Sequence, residues 1–225
     1  MSANDLRGLF GAGKDMVKAA TLTDAEIMES SRLAVRQMDQ EAPMAAAGSK
    51  YAKRLAKLTA GLQNEDGLQL NFAVYESPDV NAFATPDGSI RVFSGLMDMM
   101  TDDELRGVIG HEIGHAKLGH SKSQMQKALV MSGAAKAAAA TGNKYAANAD
   151  TIKKLLQAQF SQADEMASDD YGFDFLKKHK HDVRAMASAF NKLAQLDAGR
   201  SNPLTSSHPD PARRAERMLA RAGAR

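Results

Sequence analysis

Two histidines, His111 and His115, flank a glutamate in the run His111-Glu112-Ile113-Gly114-His115. Side chains at i and i+4 share one face of an α-helix, so both imidazoles can reach a single ion. Glu112 follows His111 by roughly 100° of helical rotation, which sets its carboxylate beside that ion rather than on it. Zinc held there would lower the pKa of a bound water to about 7, and Glu112 could take the proton. The competing description is a solvated helix with two chance histidines. Against it, three of the six His lie between 111 and 120, on a segment that Thr101-Asp102-Asp103-Glu104 opens as a capping box.

Two histidines leave a catalytic zinc one protein ligand short. The candidates lie in Ser161-Gln162-Ala163-Asp164-Glu165-Met166-Ala167-Ser168-Asp169. Glu165 and Asp169 are four apart and share a helical face. One can bind the ion while the other accepts the free N–H of a ligating histidine. Asp164 and Asp170 compete for either role, and a pair of exposed surface acids is the plain alternative.

Elements must position these groups. Thr23-Asp24-Ala25-Glu26 starts a helix to about Glu41, which Pro43 ends. Ser49 starts a second, stopping near Gly61. Leu68 to Tyr75 alternates as a half-buried strand, Val80 to Thr85 is a second, and Ile90 to Phe93 returns after the turn Pro86-Asp87-Gly88. The motif helix runs to Leu118, with Gly119 as its cap. Leu105, Ile109, Ile113 and Ala116 form its core stripe. Gly107, Gly110 and Gly114 form another, which predicts a closely packed second backbone, since each mid-helix glycine costs roughly 1 kcal/mol relative to alanine. Residues 128–150 read as loosely helical. Helices follow from Thr151 to Lys178, from Asp182 to Ala198 and from Asp210-Pro211 onward. Helices, a small antiparallel sheet and more helices predict an α+β fold, with residues 1–20 as a tail and 21–225 as one domain.

The bulk composition agrees. Hydrophobic residues make up 44% of the 225, enough for a sizeable core, and thirteen Met with many Ala suit close helix packing. A net charge of +2 gives no argument for nucleic acid or an anionic membrane. With no cysteine, disulfides, thiolate-held zinc and a cysteine nucleophile are excluded. No signal peptide is expected at Met1 to Lys18. The apolar run from Ala128 to Ala140 is too short to span a membrane.

The His-Glu-x-x-His run followed by Glu165-Met166-Ala167-Ser168-Asp169 resembles the gluzincin pattern, and more closely the HtpX and CAAX-prenyl-protease family of zinc metallopeptidases. The family pattern Glu-x-x-Ala-Asp is met with Ser168 in place of Ala. The resemblance makes His111, His115 and Glu165 the ligands of one Zn2+, Glu112 the general base and Asp169 the group that orients a ligand histidine. Asn81-Ala82-Phe83-Ala84 and Gly88–Gly95 also resemble the family, in which an edge strand pairs with extended substrate. Asn81 and Ala82 would then contact a polypeptide, although on spacing alone the segment is an ordinary hairpin. Ser207-His208-Pro209-Asp210-Pro211 resembles the family's Ser/Thr-His-Pro segment, with Arg214 six residues after the His. In relatives that His approaches the metal, either to stabilise an oxyanion or to occupy the ion as a latch. Arg214 would steady negative charge or pair with an acid. His120, His179 and His181 are expected at the surface.

The resemblance implies a minimal zinc metalloendopeptidase acting on extended or misfolded envelope proteins. It also implies a bacterial periplasmic or outer-membrane location, as a lipoprotein in its precursor. A latched zinc-binding quality-control protein with little turnover is the alternative, and a helical interaction module with a chance motif is a third.

Overall fold

The computed structural model describes residues 23–131, 158–197 and 202–223. The expected tail, most of the 128–150 stretch and residues 151–157 lie outside the described residues. Residues 158–161 are not helical, so the helix expected from Thr151 begins at Gln162 instead, where the Ser161 cap starts it. The order is α1 (Asp24–Glu41), α2 (Lys50–Leu58), a 3-10 turn (Glu65–Gly67), β1 (Asn71–Tyr75), β2 (Ala82–Ala84) and β3 (Ser89–Phe93). Then come α3 (Ser94–Met99), α4 (Asp102–Lys117), α5 (His120–Met131), α6 (Gln162–Lys178), α7 (Ala185–Asp197), α8 (Pro203–Ser207) and α9 (Pro211–Gly223). Helices surround one small sheet, an α+β fold as expected. Among the described residues no helix is long and apolar enough to cross a membrane.

Capping boxes open the three helices that matter most. Thr23 with Glu26 starts α1, Thr101 with Glu104 starts α4, and Ser161 with Asp164 starts α6. In each, a hydroxyl answers an orphan N–H of the first turn while an acid answers the cap's own N–H.

The sheet is mixed, which corrects the expectation of an antiparallel one. β2 and β3 form the antiparallel hairpin, with Ala82 opposite Val92 and Ala84 opposite Ile90. β1 lies on the other side of β3 and runs parallel to it, Asn71 opposite Ser89 and Tyr75 opposite Phe93. Alternation says which residues share a face, not which neighbour a strand takes. Residues 76–81 pass the end of β3 to reach the far edge. Gly95 lets them pass, since a Cβ there would stand 2.2 Å from the Pro78 carbonyl oxygen. Ser77 O accepts from Gly95 N–H and from the Ser94 hydroxyl, both at 2.9 Å.

One sheet face, carrying Ala82, Ile90 and Val92, joins Leu105, Ile109 and Ile113 of α4 in the main core. The other carries Tyr75, Phe83 and Phe93, covered by Val35 and Met38 of α1. On its second side α4 meets α6 through glycine. A Cβ on Gly110 would stand 2.7 Å from Phe175 Cδ1 and 3.3 Å from Gly172 Cα, and one on Gly114 3.2 Å from Ser168 Cα. Gly172 returns the approach at 3.0 Å from His111 N. Gly107 meets Met186 of α7 instead. This contact, with hydrogen in place of side chains, brings the histidine helix and the carboxylate helix together.

Candidate metal centre

α4 contributes His111, Glu112 and His115, α6 contributes Glu165 and Asp169, the turn after α8 contributes His208 and α9 contributes Arg214. All seven are buried. His111 Nε2 stands 3.0 Å from His115 Nε2 and 3.2 Å from His208 Nδ1. Glu165 Oε1 stands 2.9 Å from His208 Nδ1 and 3.3 Å from His115 Nε2. One donor atom from each of the four lies within 4.8 Å of all the others.

These donors fit a metal ion. Bonds of about 2.0–2.1 Å in a tetrahedron place donors roughly 3.3 Å apart. Lone pairs converging at that spacing repel unless a cation stands among them. Glu112 Oε1 and Glu165 Oε2 are also buried with no hydrogen-bond partner among the described residues. Glu165 Oε2 is 2.8 Å from Arg214 Nη1, an ion pair out of line for a hydrogen bond. Three imidazoles and a carboxylate suit zinc and its first-row neighbours.

The surroundings divide the charges. Asp169 Oδ1 lies 2.9 Å from His111 Nδ1 and accepts from Arg214 Nη2 at 2.6 Å, while Oδ2 accepts from Arg214 Nε at 3.0 Å. Burial pushes the Asp169 carboxyl up, but Arg214 and His111 outweigh it and hold it below the usual range. Burial raises Glu165 too, against which His208, Arg214 and His115 hold it far below the ordinary carboxylate. Glu112 goes the other way, because burial outweighs His208 and His111 and lifts it. Burial pulls His115 well down. It pulls His208 down as well, but Glu165 and Glu112 leave that ring above the ordinary histidine. The same fold thus keeps one carboxylate firmly ionised and makes its neighbour a better proton acceptor.

His120 was expected at the surface, and the structure corrects this. Its Nδ1 is 3.2 Å from His115 Nδ1 and 3.1 Å from the Ser168 hydroxyl, and its Nε2 is 3.5 Å from Asp164 Oδ1. The available signal was Gly119 immediately before it, a reversal point at φ +76°. Phe160 is the other residue that sequence reasoning missed. Its ring covers His115 at 3.9 Å between centroids and His208 at 5.2 Å, and its N–H donates to Ser207 O at 3.1 Å. No pattern in the chain marked it. His179 and His181 stay apart, against Glu65 and Asp103. Ala82 begins β2, which runs beside α4, and Asn81 immediately precedes it. The Asn81 carbonyl accepts from Phe93 N–H at 3.0 Å and Ala82 is buried. Among the described residues the Asn81 side chain makes no hydrogen bond to the histidine cluster. Leu204 N–H donates to Val80 O at 3.3 Å, tying α8 to the entry of that strand.

A helix-borne histidine pair beside a glutamate, met by a carboxylate from a second helix, is a cluster that could hold a metal ion. Residues 49–222 match the model of Peptidase family M48, and the chain belongs to that family as a metalloendopeptidase. It is 41% identical to Metalloprotease LoiP of Escherichia coli (strain K12), across 98% of this chain and 90% of that protein. It is 37% identical to Metalloprotease YcaL of the same organism, across 95% and 87%. The mitochondrial metalloendopeptidase OMA1 of Arabidopsis thaliana is 30% identical across 77% of this chain and 36% of its own length.

Proposed function

We propose that the chain is a zinc-dependent endopeptidase held closed by its own His208. His111, His115 and Glu165 would hold the ion, with His208 Nδ1 as a fourth donor. The observation that carries this reading is the ring of four buried donor atoms with neighbours 2.9–3.3 Å apart. A site closed by four protein donors lacks the open position that catalysis needs, so His208 must leave before substrate enters. When bound, zinc supplies Lewis acidity and a water able to lose its proton near neutral pH.

Glu112 supplies the base. Its Oε1 has no hydrogen-bond partner among the described residues and lies 3.6 Å from His208 Nε2, facing the space that ring fills. It takes a proton from the attacking water as oxygen bonds to the scissile carbonyl carbon. It returns that proton to nitrogen as the C–N bond breaks. Asp169 accepts the Nδ1–H of His111, and Arg214 is committed to Asp169 and Glu165, a structural cation rather than an oxyanion donor. Asn81 and Ala82 open the edge strand on which an extended polypeptide pairs by its main chain. The Leu204–Val80 bond ties the His208 segment to that edge. By likeness to the family, the substrates are extended or misfolded segments of cell-envelope proteins, met in the periplasm or at the outer membrane.

An unstructured peptide should be cleaved by the wild type, protected by a chelator and cleaved again after zinc is restored. His208→Ala should raise turnover about tenfold, the equivalent of roughly 1.4 kcal/mol of latch closure. A fall of about a hundredfold would make His208 an oxyanion donor instead.

A further inference from the structure

The two histidines of the helix motif are backed by different chemistry. His111 turns Nδ1 to the Asp169 carboxylate at 2.9 Å. His115 turns Nδ1 to another imidazole nitrogen, His120 Nδ1 at 3.2 Å. His115 is fully buried under the Phe160 ring. With Nε2 given to an ion, a neutral imidazole carries its proton on Nδ1 and needs an acceptor there. His120 Nδ1 is the acceptor in reach.

We propose that His120 is a positioning residue that accepts the Nδ1–H of His115 and so fixes the tautomer and ring angle presenting Nε2 to the metal. The inference rests on His115 being a ligand. Accepting that proton commits His120 to the tautomer with hydrogen on Nε2, and Nε2 is the nitrogen that faces Asp164 Oδ1 at 3.5 Å. Ser168, fully buried, packs its hydroxyl 3.1 Å from the same Nδ1 on the α6 side, with the single lone pair of that nitrogen given to the His115 N–H. Ser168 is also where this chain departs from the family's Glu-x-x-Ala-Asp pattern.

The local sequence delivers His120 to this place. α4 ends at Lys117 and Gly119 takes φ +76°, a conformation open to glycine at little cost. The chain reverses and His120 becomes the first residue of α5, folded back against His115. A Cβ on Gly119 would meet nothing within 4 Å, so the requirement is one of backbone conformation and not of space.

The test measures zinc affinity, by competition with a chelator of known strength, in wild type, His120→Ala, His120→Asn and His120→Gln. Thermal unfolding in excess chelator serves as the control for folding. Loss of such an outer partner costs typically about 10–100-fold in metal affinity, so His120→Ala should bind zinc that much more weakly while unfolding as the wild type does. The amide oxygen of Asn stands where His Nδ1 stands and can accept the same proton, so His120→Asn should recover most of the affinity. Gln sets its amide at the far nitrogen's position and should recover little. Wild-type affinity in His120→Ala overturns the inference and leaves the zinc site intact. If His120→Ala fails to fold, equal affinities for Asn and Gln overturn it. A wild type that binds no zinc overturns the ligand reading and this one with it.

Discussion

Two arginine–carboxylate clusters, each with its arginine buried, lie on opposite sides of the sheet, the carboxylate of one half-buried and those of the other fully so, and they follow opposite rules. Beneath α1, Arg91 donates Nε and Nη2 to the two oxygens of Asp39 at 2.9 and 2.8 Å, and Nη1 to Asn71 Oδ1 at 2.8 Å. Tyr75 O–H donates to Asp39 Oδ1 at 2.8 Å, and burial together with Asp39 raises that phenol above its ordinary range, keeping it a neutral donor. The carboxylate is answered three times. Between α4, α6 and α9, Arg214 is as fully engaged, ion-paired with Glu165 Oε2 at 2.8 Å, yet Glu112 Oε1 has no hydrogen-bond partner among the described residues. Burying charge is expensive, and a satisfied cluster recovers that cost locally. The other cluster recovers it only when something else enters. An orphaned oxygen, that of Glu112, and not buried charge alone, separates this centre from the structural one.

The sharpest way to break this contrast is Glu112→Gln. The amide is nearly isosteric but cannot take a proton, so kcat should fall roughly 10³–10⁴-fold, near the upper end for general-base catalysis. Zinc content and thermal stability should hold. Turnover at the wild-type rate by a sequence-verified variant would end the base assignment.

On the structural side, Asp39→Ala leaves Arg91 buried without its carboxylate and should cost about 3 kcal/mol in denaturant unfolding. Zinc affinity of the folded protein should stay as it is. A marked loss of affinity would mean that the two clusters communicate through the sheet.

Gly110→Val sharpens the comparison from the packing side. The added atoms run into Phe175 and Gly172, and overpacking of this kind costs roughly 1–3 kcal/mol. Because α6 carries Glu165, chelator competition should also show weaker zinc binding. Lost stability with unchanged affinity would show that the glycine contact supports the fold but not the ligand geometry.

The smallest effect belongs to a carboxylate outside both clusters. Burial raises Glu104, but Lys192, Ser188 and the Thr101 N–H outweigh it and hold the group below the ordinary glutamate range. A depressed folded pKa contributes stability that is present above the unfolded value and lost as pH falls through the folded one. Melting temperature should therefore drop as pH falls below about 4.5, and less so in Glu104→Gln, by an amount equivalent to under about 1 kcal/mol. Parallel melting curves for the two proteins would remove Glu104 from the acid response.

Much of the scaffold was legible because its signals are local. Thr23 and Thr101 each met an acid three residues on, and each opened its helix where expected, whereas Ser161 with Asp164 opens a helix that was expected to start at Thr151. The glycine stripe announced a close backbone, and Gly110 and Gly114 meet one. Spacing alone left Glu165 and Asp169 interchangeable. Resemblance proposed a division between them, and in the structure Glu165 stands among the histidine nitrogens and Asp169 behind His111. The parallel β1 was hidden, because alternation carries no information about strand neighbours.

By itself the sequence determined what contacts across one helical turn can specify: the capped helices, the His111–His115 face, the Glu165–Asp169 face and the apolar stripe of α4. Only tertiary structure decided which groups meet across long stretches of chain. His208 reaches His111 over 97 residues and Glu165 over 43. His120 lies five residues from His115, and its role still depends on a left-handed glycine turn and a serine 48 residues away. Hydrogen-bond and packing energies fall off within a few ångströms, so a residue's chemistry depends on its neighbours in space, and the fold chooses those neighbours.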